Sequence, residues 1–293
     1  MRLVNDEVTI RLGAALSFVS SVGERLGVPV DFRTHLHLRA LAGNTQVRVQ
    51  AGDGELLSRA ATGVLVAAAT RVLDYVGAPR VGLEVHGSCA WPLGYGKELE
   101  AVLAVAGTCL AAGLLESEVL SESELLELAV QSGACPELAA CLLRGQIALG
   151  WAAEGDRGVR AVFLDSARAE AEYALLVPKT SNLSAVQPQV GLVKNLGLLI
   201  SLWTGAYSSE VAEVKLWLQA TEVEASSAGR LTQVVSFLRG RGIPALADGV
   251  GESVFLPVRL DGQLRTEALE AGWRLFEVPF SSEGVKVNSS RQV

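Results

Sequence analysis

The residues best placed to do chemistry stand in one stretch, Trp91-Pro92-Leu93-Gly94-Tyr95-Gly96-Lys97-Glu98, between a strand pattern and the most apolar helix pattern of the chain. Strand, glycine loop and helix start together make a phosphate-binding arrangement. The helix start offers free N–H groups and the positive end of its dipole, and glycines let the backbone approach an anion. The GxxxxGK[ST] spacing of a Walker loop is absent, and two glycines two apart serve equally well as a tight structural turn. Lys97 would offer a phosphate a point charge. Glu98 suits the bare helix start but repels a polyphosphate. At about 4 Å and an effective dielectric of about 20 that repulsion is about 4 kcal/mol, or about three powers of ten in affinity. The same carboxylate can instead take magnesium together with phosphate.

Other groups carry weaker patterns. His35 and His37 share one strand face with Asp31, which is the start of a metal-ligand set and equally the look of a solvated strand face. Cys135 and Cys141 bracket Pro136 and Glu137 and read as small side chains in a tightly packed helix. His86, Ser88 and Cys89 would supply a nucleophile and a base, but neighbours on an extended segment point apart. Lys179-Thr-Ser-Asn182 reads as cleft lining or as a polar turn. Trp91, Trp203, Trp217 and Trp273 read as core or domain-interface residues, and Asp165 and Asp248 have no partner that spacing identifies.

The frame that must position these residues is mixed. Val8–Leu12 reads as a strand. Val30–Leu41 alternates, with Phe32, Thr34, Leu36 and Leu38 on one face and Asp31, Arg33, His35, His37 and Arg39 on the other. Gln46–Gln50 is expected as its hairpin mate across Gly43-Asn44. A helical pattern over Leu56–Val76, with apolar positions from Leu57 to Val72, is stopped by Gly77 and Pro79, and Val81–His86 is a strand before the glycine loop. After the apolar helix, Ser121 caps a helix running to Gln131, Pro136 opens another, and Gln146–Gly150 is a buried strand. The polar stretch Ala152–Gly158 marks a domain boundary, giving domains 1–155 and 156–293. The second domain is expected to begin with strands Val159–Leu164 and Glu172–Val177. Helices follow over Val190–Trp203, Ser208–Ala220 and Ala228–Arg239, then a glycine-containing turn from Gly242 enters a strand. A helix from Arg265 to Ala271 and strands Trp273–Val278 and Gly284–Val287 close it. Elements mixed in this way predict a two-domain α+β protein.

Composition narrows the class. Of 293 residues, 25 are basic and 32 acidic, for a net charge of −7; 49% are apolar and 19% charged. Disordered and collagen-like chains are excluded. The acidic balance, with no run of Lys and Arg, argues against a nucleic-acid or anionic-membrane surface. The four cysteines form no CxxC pair and read as reduced, so the expected location is the cytoplasm. The first residues lack an apolar signal segment. The longest uncharged apolar run, Ala101–Leu115, spans only about 22 Å as a helix, short of the roughly 30 Å of a bilayer core.

The order of these segments resembles the GHMP small-molecule kinases, and homoserine kinases among them. Val8-Thr-Ile-Arg-Leu12 running to Gly23-Glu24 looks like that family's first strand and loop, and Pro92 to Leu99 like its phosphate loop P-x-x-x-G-L-G-S-S-A. Gly133 to Gly145 resembles G-H-P-D-N-x-A-x-x-L-x-G-G, Asp248 to Pro257 resembles S-G-A-G-P-T-x-x-A-L, and Ser282-Glu283-Gly284 matches a late D-N-E-G. The resemblance implies two domains with a cleft between them, a glycine loop at a helix N-terminus and a ferredoxin-like C-terminal domain. It implies ATP and magnesium as cofactors, a small-molecule substrate carrying a hydroxyl, and a homodimer. Carried onto this chain, Pro92, Gly94, Tyr95, Gly96, Lys97 and Glu98 would meet nucleotide, Lys97 and Glu137 would serve catalysis, and Glu98 or Glu137 would hold the metal. Ser20, Ser21, Glu24, Gly249 and Gly251 would face substrate. The departures are specific. Lys97-Glu98 replaces the family's small hydroxyl residues, Phe18-Val19-Ser20-Ser21-Val22 stands where Asn and several glycines bind substrate, Glu137-Leu138 replaces Asp-Asn, and Glu252-Ser253 replaces Pro-Thr. Two other readings of the same resemblance are a silent relative that binds a ligand or partner, and a synthase or decarboxylase on the same fold.

Overall fold

A computed structural model describes residues 3–20, 23–92, 96–116, 119–152, 158–166, 172–179, 192–205, 210–222, 230–247, 253–281 and 283–290. In chain order the elements are β1 (Glu7–Ser20), β2 (Arg25–Leu41), β3 (Gln46–Gln50), α1 (Arg59–Tyr75), β4 (Gly82–Cys89), α2 (Lys97–Gly113), α3 (Glu122–Gln131), α4 (Pro136–Arg144), β5 (Ile147–Ala152) and β6 (Val159–Leu164). They continue with β7 (Glu172–Pro178), β8 (Leu192–Val193), α5 (Leu196–Trp203), α6 (Glu210–Ala220), α7 (Arg230–Gly240), β9 (Leu246–Ala247), β10 (Val254–Leu256), α8 (Gly262–Glu270), β11 (Trp273–Pro279) and β12 (Lys286–Ser290). The α+β class read from the sequence is borne out. The chain divides into two compact units. The first takes the chain up to Ala15, then Gly27–Phe163, then Ser281 onward; the second takes Leu16–Leu26 and Leu164–Phe280.

The first unit is built on a sheet in the order β12-β1-β2-β4-β3, with β5 pairing both β2 and β6. The alternation of β2 holds: Phe32, Thr34, Leu36 and Leu38 are buried, while Arg33 and Arg39 are exposed and His35 and His37 half-buried. Both β1 and β2 are longer than their apolar patterns predict, because uninterrupted burial at one end hides the period-two signal. The expected β2–β3 hairpin does not form. β4 lies between them, antiparallel to β2 through pairs such as His37↔His86, and β3 pairs with β4 in parallel from Gln46↔Glu84 to Gln50↔Ser88. The cause is α1, a 17-residue crossover helix that returns the chain for a parallel strand, which a two-residue turn cannot do. Ser58 caps α1 by accepting from the Ala61 amide, and Ser121 and Glu124 form a reciprocal capping box on α3.

Two helices set the site. Residues 101–111 of α2 are all buried, and Gly107 lets α1 approach so closely that a Cβ there would lie 2.2 Å from the Leu65 carbonyl oxygen. The C-terminal end of α4 closes on Gly145 in the left-handed region at φ 68°. Its open carbonyls are met from the C-terminal segment, where the Val285 N–H donates to the carbonyls of Leu142 (3.1 Å) and Leu143 (3.2 Å).

The second unit has an antiparallel sheet in the order β11-β7-β10-β9. Ala174, Leu176, Val254, Leu256 and Trp273 from its strands pack with Val235 and Leu238 of α7. Phe18, Tyr173, Trp203, Trp217 and Phe255 form an aromatic cluster with centroids 5.1–5.8 Å apart, and the Trp203 Nε1–H donates to the Tyr173 hydroxyl at 3.0 Å. Trp91, Trp203, Trp217 and Trp273 are buried, as their composition suggested. Among the described residues no helix is long and apolar enough to cross a membrane.

Candidate functional site

The glycine stretch is entered from the middle of the sheet. The Ala90 N–H donates to the Arg33 carbonyl at 3.1 Å, Trp91 packs edge-on against Phe32 with centroids 5.5 Å apart, and Trp91 and Pro92 are buried. Gly52 keeps this exit path open, since a Cβ there would lie 2.8 Å from the Ala90 carbonyl oxygen. Gly94 and Tyr95 lie outside the described residues. Gly96 is the N-cap of α2 at φ 104°, ψ 166°, a conformation that side-chain-bearing residues rarely adopt. It gives the helix no side-chain cap, so the helix dipole faces outward without the oxygen that Ser, Thr or Asp would supply.

The first turn of α2 separates its charges. Lys97 points outward and pairs with Glu100 at 2.5 Å, one turn on, with 52% and 37% of the two side chains exposed. Glu98 turns inward and is 1% exposed. The sequence reading missed Glu100; the i,i+3 spacing of Lys97 and Glu100 on one helix face was the signal available for it.

Glu137 occupies the first turn of α4, after Pro136 at N1, and is fully buried. Its charge, after burial itself, helps push the Cys141 thiol well above its ordinary range. α4 packs on α2 and on β5, so the same helix layer carries Glu98 and Glu137.

Ser20 and Glu24 belong to the second unit and form a tight turn. The Ser20 Oγ accepts from the Glu24 amide at 3.0 Å, and Gly23 at φ 86° closes the loop with its N–H on the Ser20 carbonyl. Ser20 is buried and Glu24 exposed. Ser21, Gly249 and Gly251 lie outside the described residues.

The weaker candidates resolve as structure. His37 and His86 stack with centroids 4.7 Å apart on the outward sheet face, His37 also reaching Glu7 at 3.7 Å. Asp31 is held by Arg33 through bonds of 2.8 and 3.0 Å. Among the described residues no group of three His, Cys, Asp or Glu could hold a metal. Cys89 is buried, and its sulfur accepts from the Thr34 hydroxyl while His86 faces out. Lys179 Nζ donates to the Leu269 carbonyl at 3.0 Å, tying it to the end of α8.

No protein-family model matches the chain. It is 29% identical over 189 residues to a homoserine kinase of Prochlorococcus marinus (strain MIT 9313), covering 61% of this chain and 60% of that enzyme. The similarity thus spans about three-fifths of the curated relatives it matches. Among solved structures, homoserine kinase from Cytophaga hutchinsonii superposes with a TM-score of 0.69 at 19% identity, covering 97% of this chain and 98% of that one. A mevalonate kinase superposes with a TM-score of 0.65 at 13% identity, covering 94% and 99%. The resemblance read from the order of motifs is therefore matched by the comparisons: the chain has the fold of these kinases, and about three-fifths of its sequence is similar to homoserine kinases.

Proposed function

We propose that the protein is a small-molecule kinase that moves the γ-phosphate of ATP onto a metabolite hydroxyl. The observation that carries this reading is the opening of α2. A glycine at φ 104° leaves the helix start without a side-chain cap, in a chain that follows homoserine kinases along its sequence and fold. An N-terminus of this kind fits a phosphate, because its amides can donate to an anion and the N-cap Gly96 itself brings no side chain to them. The donor set fits a hard divalent cation, because Glu98 and Glu137 supply carboxylates.

ATP would supply the transferable phosphoryl group, and magnesium its charge balance. The chain's own part is positioning and electrostatics. The α2 amides, with the loop from Pro92 through Gly94, Tyr95 and Gly96, hold the phosphates. Lys97, released from Glu100, offsets charge on the transferred group. Glu98 or Glu137 would hold the metal. Ser20, Ser21, Glu24, Gly249 and Gly251 are assigned to the substrate by the resemblance alone. The same resemblance supplies a homodimer as the working form, and the scattered cysteines supply the cytoplasm as its location.

Calorimetric titration of the protein with ATP and magnesium, followed by addition of homoserine and other small hydroxylated compounds, tests the reading. Saturable nucleotide binding and ADP release with one acceptor support it. Binding without turnover favours the silent relative, and turnover only with phosphoribosyl pyrophosphate favours the synthase.

A further inference from the structure

The outward face of the first unit's sheet holds a cavity that none of the residues assigned above to nucleotide, metal or substrate lines. It lies where β1 and β2 meet the segment leading into β12, and its polar lining is Arg11, Asp31, Arg33, His35, Ser281 and Glu283. Period-two alternation puts Arg11 and Gly13 on one face of β1, and Asp31, Arg33 and His35 on one face of β2. Gly13 leaves the space open, since a Cβ there would lie 3.0 Å from the Val30 carbonyl oxygen and 3.3 Å from the Ser281 Oγ. About 20 Å³ is open to the centre of a water molecule, which seats one small head group. Both acids of the lining already have a base. Asp31 accepts from the Arg33 Nε at 2.8 Å and Nη2 at 3.0 Å, and Glu283 pairs with Lys286 at 2.8 Å. Three groups are uncommitted: among the described residues, the Arg11 and His35 side chains and the Ser281 hydroxyl make no hydrogen bond or ion pair. Ser281 is 7% exposed, so its hydroxyl meets only what the cavity admits.

We infer that this cavity binds the carboxylate of a small molecule, with Arg11, His35 and Ser281 as its hydrogen-bond donors and the rest of the molecule in solvent. The uncommitted groups select an anion: a guanidinium and a hydroxyl donate, and an imidazole carries one N–H even when neutral. The charge count selects a single negative charge. Arg11, Arg33 and Lys286, which stands opposite Arg11 across the β1–β12 pair, are set against Asp31 and Glu283, leaving one positive charge. That matches a carboxylate better than a phosphate monoester, which carries about 1.5–2 negative charges at neutral pH. A planar guanidinium fork also meets both carboxylate oxygens at once. Two arginines on the same space disfavour a metal cation.

The chain's three histidines supply the readout. His35 lines the cavity, while His37 and His86 stack on each other on the same sheet face, with centroids 4.7 Å apart, and do not line it. Proton NMR follows the three rings while the full chain is titrated with sodium formate or acetate, and separately with sodium chloride or phosphate at equal ionic strength. Formate and acetate are expected to move the His35 ring saturably, with a Kd in the millimolar range, and to leave His37 and His86 where chloride leaves them. Arg11→Gln is expected to weaken that binding about tenfold or more, the scale of a charged hydrogen bond. Gly13→Ala is expected to abolish it by filling the cavity. Glu283→Gln should bind formate about threefold more tightly at low salt, because a neighbouring anion is gone; a cation site would lose affinity instead. Arg11 is exposed and the φ of Gly13 is not positive, so these substitutions leave the fold in place. The unaltered protein tests the site without any variant.

Three kinds of result overturn the proposal. No saturable movement of His35, or equal movement of all three rings, removes the site. Chloride or phosphate bound as tightly as formate removes the choice of a carboxylate. Unchanged formate affinity in Arg11→Gln, or weaker binding in Glu283→Gln, removes the roles given to the lining. None of these results bears on nucleotide binding at the start of α2, so the kinase reading stands or falls separately.

Discussion

Lys97 gives the sharpest prediction, because the structure lets its two effects be separated. Lys97→Ala removes an exposed i,i+3 pair with Glu100. Such pairs contribute about 0.5 kcal/mol or less to folding, so the melting transition is expected to move little. The effect on phosphate is larger. A unit charge about 5 Å from a phosphate charge, at an effective dielectric of about 40 for a half-exposed side chain, is worth about 1.7 kcal/mol, or roughly fifteenfold in Kd. Glu100→Gln should act in the opposite sense and tighten ATP binding, because it frees Lys97 and removes an anion from the same turn. Calorimetry at low salt reads both changes. At high salt the Lys97→Ala deficit should shrink as the screening length falls to about 3 Å near 1 M. A Lys97→Ala protein that binds ATP within twofold of the unaltered chain refutes the role given to Lys97. A Glu100→Gln protein that binds more weakly refutes the competition between Glu100 and phosphate.

Other consequences follow from packing and titration. Gly63→Ala should stabilise the protein by about 0.5–1 kcal/mol, since nothing lies within 4 Å of its Cβ position in α1. Gly107→Ala should destabilise it by about 1–3 kcal/mol through collision with the Leu65 carbonyl; urea midpoints distinguish the two signs. The Cys109 thiol is pushed up to about 12 by burial, and Cys89 and Cys141 are also raised by burial. A thiol reagent at mildly alkaline pH should therefore label only the half-buried Cys135 quickly in the native protein, and all four thiols after denaturation; rapid labelling of a second thiol contradicts the packing. Hydrogen bonds from Arg80, Ser121, Lys194 and Lys286 hold Asp74, Glu124, Glu222 and Glu283 respectively below their ordinary values of 3.8 for Asp and 4.5 for Glu. Each folded value lies below the unfolded one, so this stability is complete at neutral pH and is lost as pH falls through the carboxylate range. The urea midpoint should drop on acidification, and by less in high salt because Asp74, Glu222 and Glu283 are exposed and Glu124 only half-buried; a midpoint that rises in acid contradicts the assignment.

Much of the frame was legible because it rests on local signals. Period-two burial placed His35 and His37 outward, Ser121 with Glu124 marked the start of α3, and Pro136 marked that of α4. The β3 pairing was not legible, since the insertion of β4 between β2 and β3 is decided by the α1 crossover and not by the residues of β3. The site was readable in part. Gly96 stands at a helix start with the backbone that only glycine takes readily, and Lys97 and Glu98 point to opposite sides of the surface. The approach of Gly27 to Glu137 could not be read, because the two lie more than a hundred positions apart along the chain and meet through a close contact that leaves no periodic trace.

Transfer itself is the measurement that bears most directly on the kinase reading. Phosphorus NMR of the protein with ATP, magnesium and a panel of small hydroxylated amino acids and alcohols should show ADP appearing together with one new phosphomonoester resonance, both slowed in Lys97→Ala. Stable ATP with every acceptor, in a sample shown to bind nucleotide, would contradict it.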